Sequence, residues 1–407
     1  MKRSESTLQT VRNTHKSVIL KAIRDAKEIS RADITSVTGI SSPTVTRIVN
    51  QLIAEGLVRN IGIGGSSGGR PPVILEFNAK SCYVIGIEWG LTQINGVIAD
   101  LNGENLVSKS IEYELSSEFE IDLKLVIDLI HDLLAEGTLN RDMVKGIGIA
   151  VAGYVNKRTG TIEFSPVQKW HNIDVSKPIE KEFGIPVILD YLSRVATLGE
   201  YLYGVGRDIN ELLYISIDYG IGAGILHEGK VAQGYDGFTG EFGHIYITPP
   251  EGYQDRLCFC GKMNCLAEFV SGRGIARTAK RKIDRYPESL LLPMCDNKPE
   301  RITAKMIAQA AKFGDEFARK ILSEAGDMLG ISIANISNIL NPEAVIIGGK
   351  ISKSDFFFSE VRKSFSAHGL RGVPREIRLL KSENIDDAVV KGSIALVLEG
   401  VLDYSIK

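Results

Sequence analysis

The chain has 407 residues, of which 44% are hydrophobic and 24% charged, and its formal net charge is -2. This length exceeds one ordinary domain and predicts about three domains with sizeable cores. No run of 18 apolar residues occurs, and the polar start Met-Lys-Arg-Ser-Glu-Ser lacks the apolar segment of a signal peptide. These features argue against membrane-spanning and secreted proteins, so we expect a cytoplasmic protein with reduced thiols and no membrane partner.

The charge is distributed unevenly along the chain. Residues 1–80 carry twelve Lys and Arg against six Asp and Glu, a net charge of +6, so the remaining residues carry -8. A basic first fifth on an acidic body indicates a nucleic-acid-binding head carried by domains with another function. The alternative is a basic surface that is merely solvated, and the local sequence pattern must decide between the two.

Three short helices are predicted within the basic segment. The first covers 13–26, where apolar residues recur at helical spacing. The second begins at Ser30 with the pattern of a capping box and ends at Gly39. After a tight turn, the third begins with Ser42 as its N-cap and Pro43 at the first helical position. This arrangement predicts a helix-turn-helix.

The third helix has one apolar and one polar face. The apolar stripe that should face the core consists of Val45, Ile48, Val49, Leu52 and Ile53. The polar side chains that we expect to contact DNA are Ser42, Thr44, Thr46, Arg47 and Asn50. Such side chains hydrogen-bond to base edges in a major groove. A polar face exposed only to solvent is the alternative, and the helix alone does not decide between them.

A β-hairpin is predicted after the third helix. One strand begins within 56–59, a loop of Gly and Ser occupies 61–69, and a second strand returns over 72–77. The tip combines glycines with Arg70, which two prolines hold, and this combination suits a narrow, electronegative minor groove. A winged helix-turn-helix on a basic segment favours binding to double-stranded DNA.

Three of the five cysteines fall within eight residues, shortly after a histidine. They are Cys258, Cys260 and Cys265, and the histidine is His244. One imidazole and three thiolates form a structural zinc set that leaves no open position for a catalytic water. Ordinary buried thiols are the alternative. Because the chain uses cysteine so rarely elsewhere, the cluster favours a structural Zn²⁺.

From residue 81 the pattern changes to alternating strands and helices. Strands are predicted at 83–88, 93–100, 106–114 and 146–151, with a helix at 122–134. A related set of short strands recurs at 212–218, 223–227 and 230–233. Two similar α/β lobes with a cleft between them correspond to the plan of actin-like (ribonuclease H-like) sugar kinases.

Two motifs of this chain resemble those of a known family. The motifs are Gly240-Glu-Phe-Gly-His244 with the cysteine cluster that follows it, and the winged head with Gly68-Gly-Arg-Pro. They are similar to the ROK family of repressors, open reading frames and sugar kinases, and specifically to its repressors of xylose and N-acetylglucosamine genes. The resemblance covers essentially the whole chain. It implies a winged helix-turn-helix at 1–80, a first lobe at 81–190 completed by 385–407, and a second lobe with the zinc site at 191–384.

The resemblance also locates the residues that a family kinase would need. Alignment of the family pattern on 197–200 places Leu192 at the catalytic aspartate, and leucine cannot accept a proton. On the phosphate side, Leu91 and Tyr219 stand where the kinases have small residues that let the backbone approach phosphate. We therefore expect no catalytic residue, no kinase activity and no bound ATP.

The sugar-holding side chains of the family are only partly retained. The resemblance implies that Glu241 and His244 remain, whereas Tyr191, Leu192 and Ala267 replace the other three. Loss of carboxylates that accept hydroxyl hydrogen bonds should weaken binding of a simple hexose. Either the ligand is different or larger, with Tyr191 offering a stacking face, or the cleft has become structural.

Together these features predict a repressor of carbohydrate-utilisation genes. A homodimer or homotetramer would bind operator DNA through paired heads, and a carbohydrate inducer in the interlobe cleft would release it. Two alternatives stay open at this point: a sugar kinase with an accessory DNA-binding head, and a constitutive DNA-binding protein with a vestigial cleft.

Overall fold

The structure is a computed structural model that describes residues 2–64, 71–114, 116, 118–370 and 376–402, with side chains from residue 13 onward. The elements of the head are α1 (Lys2–Ala26), β1 (Glu28–Ser30), α2 (Arg31–Thr38), α3 (Ser42–Ala54), β2 (Val58–Ile63) and β3 (Val73–Phe77). The strands form one antiparallel sheet in the order β1-β3-β2. Helix α1 begins well before residue 13, where the sequence predicted its start. The prediction missed the first residues because they are mostly polar and carry no apolar stripe that would indicate a helix.

The ends of the short helices follow local hydrogen bonding. The predicted capping box is present, since the Ser30 hydroxyl accepts from the Asp33 backbone N–H at 3.2 Å, and Gly39 ends α2 with a φ of 68°. The predicted N-cap of α3 is wrong by one residue. Ser41 has the non-helical backbone of a cap and its hydroxyl contacts that of Thr44 at 3.0 Å, whereas Ser42 is already helical.

The wing is the predicted hairpin of β2 and β3. Its register pairs Val58 with Phe77, and a bulge between Asn60 and Gly62 bends the first strand. The unpredicted strand β1 joins the far edge of β3. Arg70, predicted to enter the minor groove, lies outside the described residues.

The first lobe contains a five-stranded sheet. Its elements are β4 (Tyr83–Trp89), β5 (Gln93–Asp100), β6 (Asn105–Glu112), α4 (Phe119–Glu136), β7 (Val144–Val151), β8 (Tyr154–Asn156), β9 (Thr161–Ser165), β10 (Trp170–Asp174), α5 (Ser176–Phe183) and β11 (Val187–Tyr191). The sheet order is β11-β7-β4-β5-β6, and β8, β9 and β10 form a separate small sheet.

The second lobe repeats this plan. Its strands are β12 (Leu212–Ile217), β13 (Ile221–His227), β14 (Lys230–Val231), β15 (Ala344–Gly348) and β16 (Arg378–Lys381). The helices of this part of the chain are α6 (Leu192–Tyr203), α7 (Ala267–Val270), α8 (Gly272–Lys282), α9 (Leu291–Met294), α10 (Ala304–Lys312), α11 (Glu316–Leu340), α12 (Asp355–His368) and α13 (Ala388–Leu402). The order is β14-β13-β12-β15-β16, and when it is read from β16 it has the same succession of parallel and antiparallel neighbours as the first sheet read from β11. The expectation of two similar lobes is therefore confirmed.

The head shares a hydrophobic core with the body. Ile19 of α1 and Leu75 of β3 belong to one buried cluster with Val84 of β4 and with Ile394 and Leu398 of α13. All five side chains are at most 5% exposed. Because buried apolar contacts join the head to α13 and to the first sheet, a displacement of either element must also displace the head. Within the described part of the chain, no helix is long and apolar enough to cross a membrane.

Helix α13 also packs closely against α6 and the first-lobe sheet. A Cβ on Gly392 would lie 1.9 Å from the Val195 carbonyl oxygen, and one on Gly199 would lie 2.0 Å from the Ala388 carbonyl oxygen. Only glycine permits helices to approach this closely. The contacts of α13 with β4 and β7 accord with a first lobe completed by the C-terminal segment. The domain limits at 80, 190 and 384 stay predictions.

Candidate functional site

The exposed face of α3 is the candidate DNA-binding surface. Val45, Ile48, Val49 and Leu52 are fully buried, which turns the polar residues outward. Ser42, Thr46, Arg47 and Asn50 are exposed, and Thr44 is half-buried. The predicted orientation of the helix is therefore present. These five residues lie together, while their contacts with bases stay a prediction.

Sequence reasoning missed a further cation at this surface. Arg31, at the start of α2, donates from Nη2 to Asn50 Oδ1 at 3.2 Å. This contact orients the Asn50 amide and adds a second guanidinium to the exposed face of α3. The sequence did not indicate that Arg31 lies at this surface, because only tertiary packing brings the N-terminus of α2 against α3.

The four predicted metal ligands converge at one point. The ligand atoms of His244, Cys258, Cys260 and Cys265 all lie within 4.8 Å of one another. His244 Nδ1 and Cys258 Sγ are 3.6 Å apart, as are Cys260 Sγ and Cys265 Sγ. A tetrahedron with zinc–sulfur bonds of about 2.3 Å has edges of about 3.7 Å. The spacing therefore fits a four-coordinate metal ion.

A tight turn delivers two of the thiols. The Cys258 N–H donates to Lys262 O at 2.9 Å, and Gly261 completes the turn with a φ of 86° that favours glycine. Burial raises the pKa of the Cys258 thiol to about 11 and lowers the pKa of His244. Neutral imidazole is the form that ligates a metal, and a bound cation would stabilise the thiolates that burial disfavours.

The metal-binding loop is anchored to the second lobe by a buried arginine. Arg256 is 2% exposed and donates to the carbonyl oxygens of Glu268 and Gly274 and to Thr278 Oγ1. These bonds fix the loop against α8. Arg256 thus holds the loop that carries the metal cluster in a fixed position on the second lobe.

His244 connects the metal cluster to the cleft. Its Nδ1 faces Cys258, and its Nε2 lies 3.7 Å from Glu241 Oε2. Burial raises the pKa of Glu241 to about 7, although a hydrogen bond from Tyr154 and the charge of Arg194 oppose this rise. A metal on Nδ1 would leave the Nε2 proton directed toward Glu241. One histidine can therefore serve both predicted roles.

The position of the kinase base holds a leucine, and the neighbouring carboxylate of Asp190 is already in an ion pair. Leu192 is the first residue of α6. Asp190 is 2% exposed and accepts from Arg194 Nε at 2.7 Å and from the Tyr191 backbone N–H at 2.7 Å. Lys157 Nζ lies 3.4 Å from its other oxygen. Asp190 is thus already paired and does not replace the missing base.

Arg194 was not predicted from the sequence, yet it lies at the centre of the cleft. Its Nη1 donates to the Gly237 carbonyl oxygen, which ties the start of α6 to the loop of the second lobe. Its guanidinium carbon lies 5.6 Å from the centre of the Tyr191 ring. A Cβ on Gly222 would lie 2.5 Å from the Tyr191 hydroxyl, so this ring is held between α6 and β13. Its predicted stacking face is partly occupied by Arg194.

The remaining altered positions also differ from a kinase site. Ala267 is buried, and the carboxylate of its neighbour Glu268 pairs with Arg273 and Arg277 of α8. Glu268 is therefore already ion-paired and does not replace the carboxylate lost at Ala267. The side chain does not serve as a free acceptor.

Negative charge surrounds the predicted phosphate segments. Burial raises the pKa of Glu88 to about 7, opposed by a hydrogen bond from Asn95, and nearby Asp218 raises it further. Asp218 itself accepts from the Lys350 backbone N–H at 2.7 Å. Tyr219 is 43% exposed beside it. The Asp218 carboxylate adds a negative charge at this point, which disfavours a polyphosphate bound without a metal ion.

Comparison with protein families agrees with this architecture. The family model described as ROK family matches residues 84–400, and the model described as winged helix-turn-helix DNA-binding matches residues 12–59. The chain belongs to the ROK family. The predicted order of a winged helix-turn-helix followed by a ROK kinase-type body is thereby confirmed.

Similar ROK proteins include both regulators and kinases. The xylose repressor of Caldicellulosiruptor bescii is 32% identical over 395 residues, which cover 97% of this chain and 98% of the relative. A solved ROK family transcriptional regulator, a homolog of the E. coli MLC protein, is 27% identical with a TM-score of 0.84, covering 97% of each chain. The ROK glucokinase of Streptomyces griseus, solved with glucose and AMPPNP, is 28% identical with a TM-score of 0.68. It matches 77% of this chain and 98% of its own length. Of the three proteins named here, the two regulators match along nearly the whole length of this chain, including the head.

Proposed function

We propose that this ROK protein is a cytoplasmic transcriptional repressor of carbohydrate-utilisation genes, released from its operator by a sugar or oligosaccharide in the interlobe cleft. One observation carries the proposal: a head with an exposed recognition helix shares its core with a kinase-type body whose base position is Leu192. A homodimer or homotetramer would place two heads on a pseudo-palindromic operator. The wing with Arg70 would enter the minor groove beside each recognition helix.

The path from cleft to head runs through two helices. Helix α6 begins at the cleft with Tyr191 as its N-cap, and α13 crosses it at the glycine contacts described above. Helix α13 then joins the core of the head. An inducer that binds one closure state of the lobes more tightly would shift the protein toward that state and toward its arrangement of the heads. The difference between the inducer's affinities for the two states limits the size of this shift.

We further propose that the cluster of His244 and three cysteines holds a structural Zn²⁺. All four positions would be filled by protein, so the ion would fix the loop and supply no reactive water. The protein side of this arrangement orients His244 Nε2 toward Glu241, where both can hold hydroxyl groups of a sugar.

Arg47→Ala is expected to weaken binding to the preferred DNA sequence by about 5- to 150-fold and to relax that preference. The reason is that a direct base contact contributes about 1 to 3 kcal/mol. Fluorescence anisotropy on a duplex selected by the protein from a random library measures the effect. Arg158→Ala removes the same charge from an exposed site in the body and is the matched control. Equal affinities for wild type and Arg47→Ala would contradict the assignment of α3.

No sugar-dependent ATP consumption is expected, and Leu192→Asp alone should not create it. A restored carboxylate would leave the phosphate side unchanged, with Leu91 and Tyr219 still standing where family kinases have small residues. A coupled assay with glucose, xylose and N-acetylglucosamine measures turnover. Sustained ATP hydrolysis that depends on any of these sugars would favour the alternative of a kinase with an accessory head.

The inducer step is tested by release of the selected duplex in the presence of monosaccharides and short oligosaccharides. At least one carbohydrate should lower DNA affinity tenfold or more. If the protein binds its duplex with unchanged affinity in every case, the alternative of a constitutive DNA-binding protein with a vestigial cleft is favoured.

A further inference from the structure

The small sheet of β8, β9 and β10 carries a row of aromatic rings that the proposed function does not use. Its register pairs Tyr154 with Phe164 and Phe164 with His171. The ring centres are 5.8 Å apart in the first pair and 4.8 Å apart in the second. Since neighbouring strands lie about 4.8 Å apart, the row spans about 10 Å across the three strands.

The two faces of this sheet differ in burial. Val155, Ile162 and Trp170 are at most 3% exposed and belong to the core of the first lobe. On the row itself, Tyr154 and Phe164 are half-buried and His171 is exposed. Aromatic neighbours on adjacent strands also stabilise a sheet, but that role does not require rings that solvent can reach.

The row starts at the proposed inducer site. The Tyr154 hydroxyl is hydrogen-bonded to Glu241, which the family resemblance places against the sugar. Phe238 packs edge-on against Tyr154 with ring centres 4.8 Å apart, and it is itself 37% exposed. Phe238 follows Gly237, whose carbonyl oxygen Arg194 holds. From Glu241 the rings therefore lead outward to solvent at His171.

The other aromatic residue of the cleft is less available for stacking. Tyr191 contacts Arg194 on its ring and β13 at its hydroxyl. By contrast, Tyr235 in the loop beside Phe238 is completely exposed. The small sheet and its adjoining loop thus carry aromatic surface that is open to a ligand.

We propose that Tyr154, Phe164 and His171 form subsites for the second and third rings of an uncharged oligosaccharide whose first ring lies at Glu241 and His244. The inference rests on the inducer site of the proposed function and specifies its ligand class. Sugar rings have apolar C–H faces that pack on aromatic side chains, while their hydroxyl groups bind the few polar groups of a site. A row of rings that begins at a buried carboxylate offers both kinds of contact to a linear chain.

The test is calorimetry of the full-length, zinc-loaded protein with two series of probes. These are xylose, xylobiose and xylotriose, and glucose, cellobiose and cellotriose. In one series the affinity is expected to rise at least tenfold from the monosaccharide to the trisaccharide. Phe164→Leu keeps apolar bulk in the sheet but removes the aromatic face, so it should abolish this rise and leave monosaccharide affinity unchanged.

Two further variants keep the test independent of folding. His171→Ala changes an exposed side chain and should reduce trisaccharide affinity alone. Phe313→Leu alters an exposed ring outside the cleft and should change no affinity. Equal affinity for all chain lengths, or an equal loss for every length in Phe164→Leu, would overturn the subsites while leaving the repressor function intact. A protein that binds its DNA but no sugar of either series contradicts the inducer step as well.

Discussion

Replacement of Cys260 by serine is expected to remove bound zinc and to lower the melting temperature by about 5 to 10 °C. The thiol is one of four atoms whose spacing matches a tetrahedral site, and the remaining three donors leave the ion incompletely coordinated. Loss of about 3 kcal/mol would produce a shift of this size in a domain of the second lobe's length. Elemental analysis and calorimetry on the same preparation measure both quantities.

Cys295→Ala provides the control, because this thiol lies outside the cluster and is more deeply buried than the half-buried Cys260. It should leave the metal content unchanged even if stability falls. If elemental analysis finds no zinc in wild-type protein that was purified under conditions that preserve other zinc proteins, the proposed zinc site is contradicted. Since His244 faces both the metal and Glu241, zinc loss should also weaken the response to inducer while DNA binding persists.

Arg194→Met is expected to destabilise the protein by about 3 to 5 kcal/mol, because it removes the buried partner of Asp190 and leaves only the more exposed Lys157 to balance that buried charge. Both side chains are 2% exposed, so solvent cannot replace the lost contact. The double variant Asp190→Asn, Arg194→Met should recover much of the loss, since no charge is then left unpaired. Urea unfolding measures the free energy of unfolding of each variant.

The matched control for this pair lies on the surface. Arg378 and Glu343 form an exposed ion pair, with side chains 51% and 42% exposed, and Arg378→Met should change stability by less than about 1 kcal/mol. If Arg194→Met is as mild as Arg378→Met, the guanidinium does not hold the cleft together. Arg194→Met should also release the loop at Gly237 from α6. A lower concentration of inducer should then be enough to dissociate this variant from DNA.

Local sequence signals predicted the parts of the fold that local physics determines. The capping box at Ser30, the left-handed end at Gly39 and the apolar stripe of α3 are all present because each depends on residues within four positions. The metal cluster was predictable for a related reason, since three of its ligands lie within eight residues of the chain. The N-cap of α3 was misplaced because Ser41 and Ser42 are equally suited to the position.

The missed features depend on contacts between residues distant in sequence. Asp190 and Arg194 have the spacing of an ordinary helix pair, and nothing local indicates that the first lies in a strand and both are buried. Likewise, Arg31 reaches Asn50 only when α2 packs on α3. The aromatic row requires the register of three successive strands, which the residue pattern does not fix.

The sequence could assign His244 to a metal or to a sugar but not reconcile the two. The structure separates its nitrogens, with Nδ1 toward Cys258 and Nε2 toward Glu241. The orientation of the His244 ring follows from the backbone turn that precedes the metal-binding loop, and the residue pattern does not predict that turn. The resemblance supplied both roles, and the geometry shows how they are compatible.

The most direct test of the central claim is reciprocity between sugar and DNA. If the cleft controls the heads, the factor by which a sugar lowers DNA affinity must equal the factor by which DNA lowers sugar affinity. Calorimetric titration of the releasing sugar into the protein, with and without its selected duplex, measures the second factor. We predict sugar binding at least tenfold weaker to the DNA-bound protein, matching the loss of DNA affinity. Identical sugar affinity in both states would contradict the account.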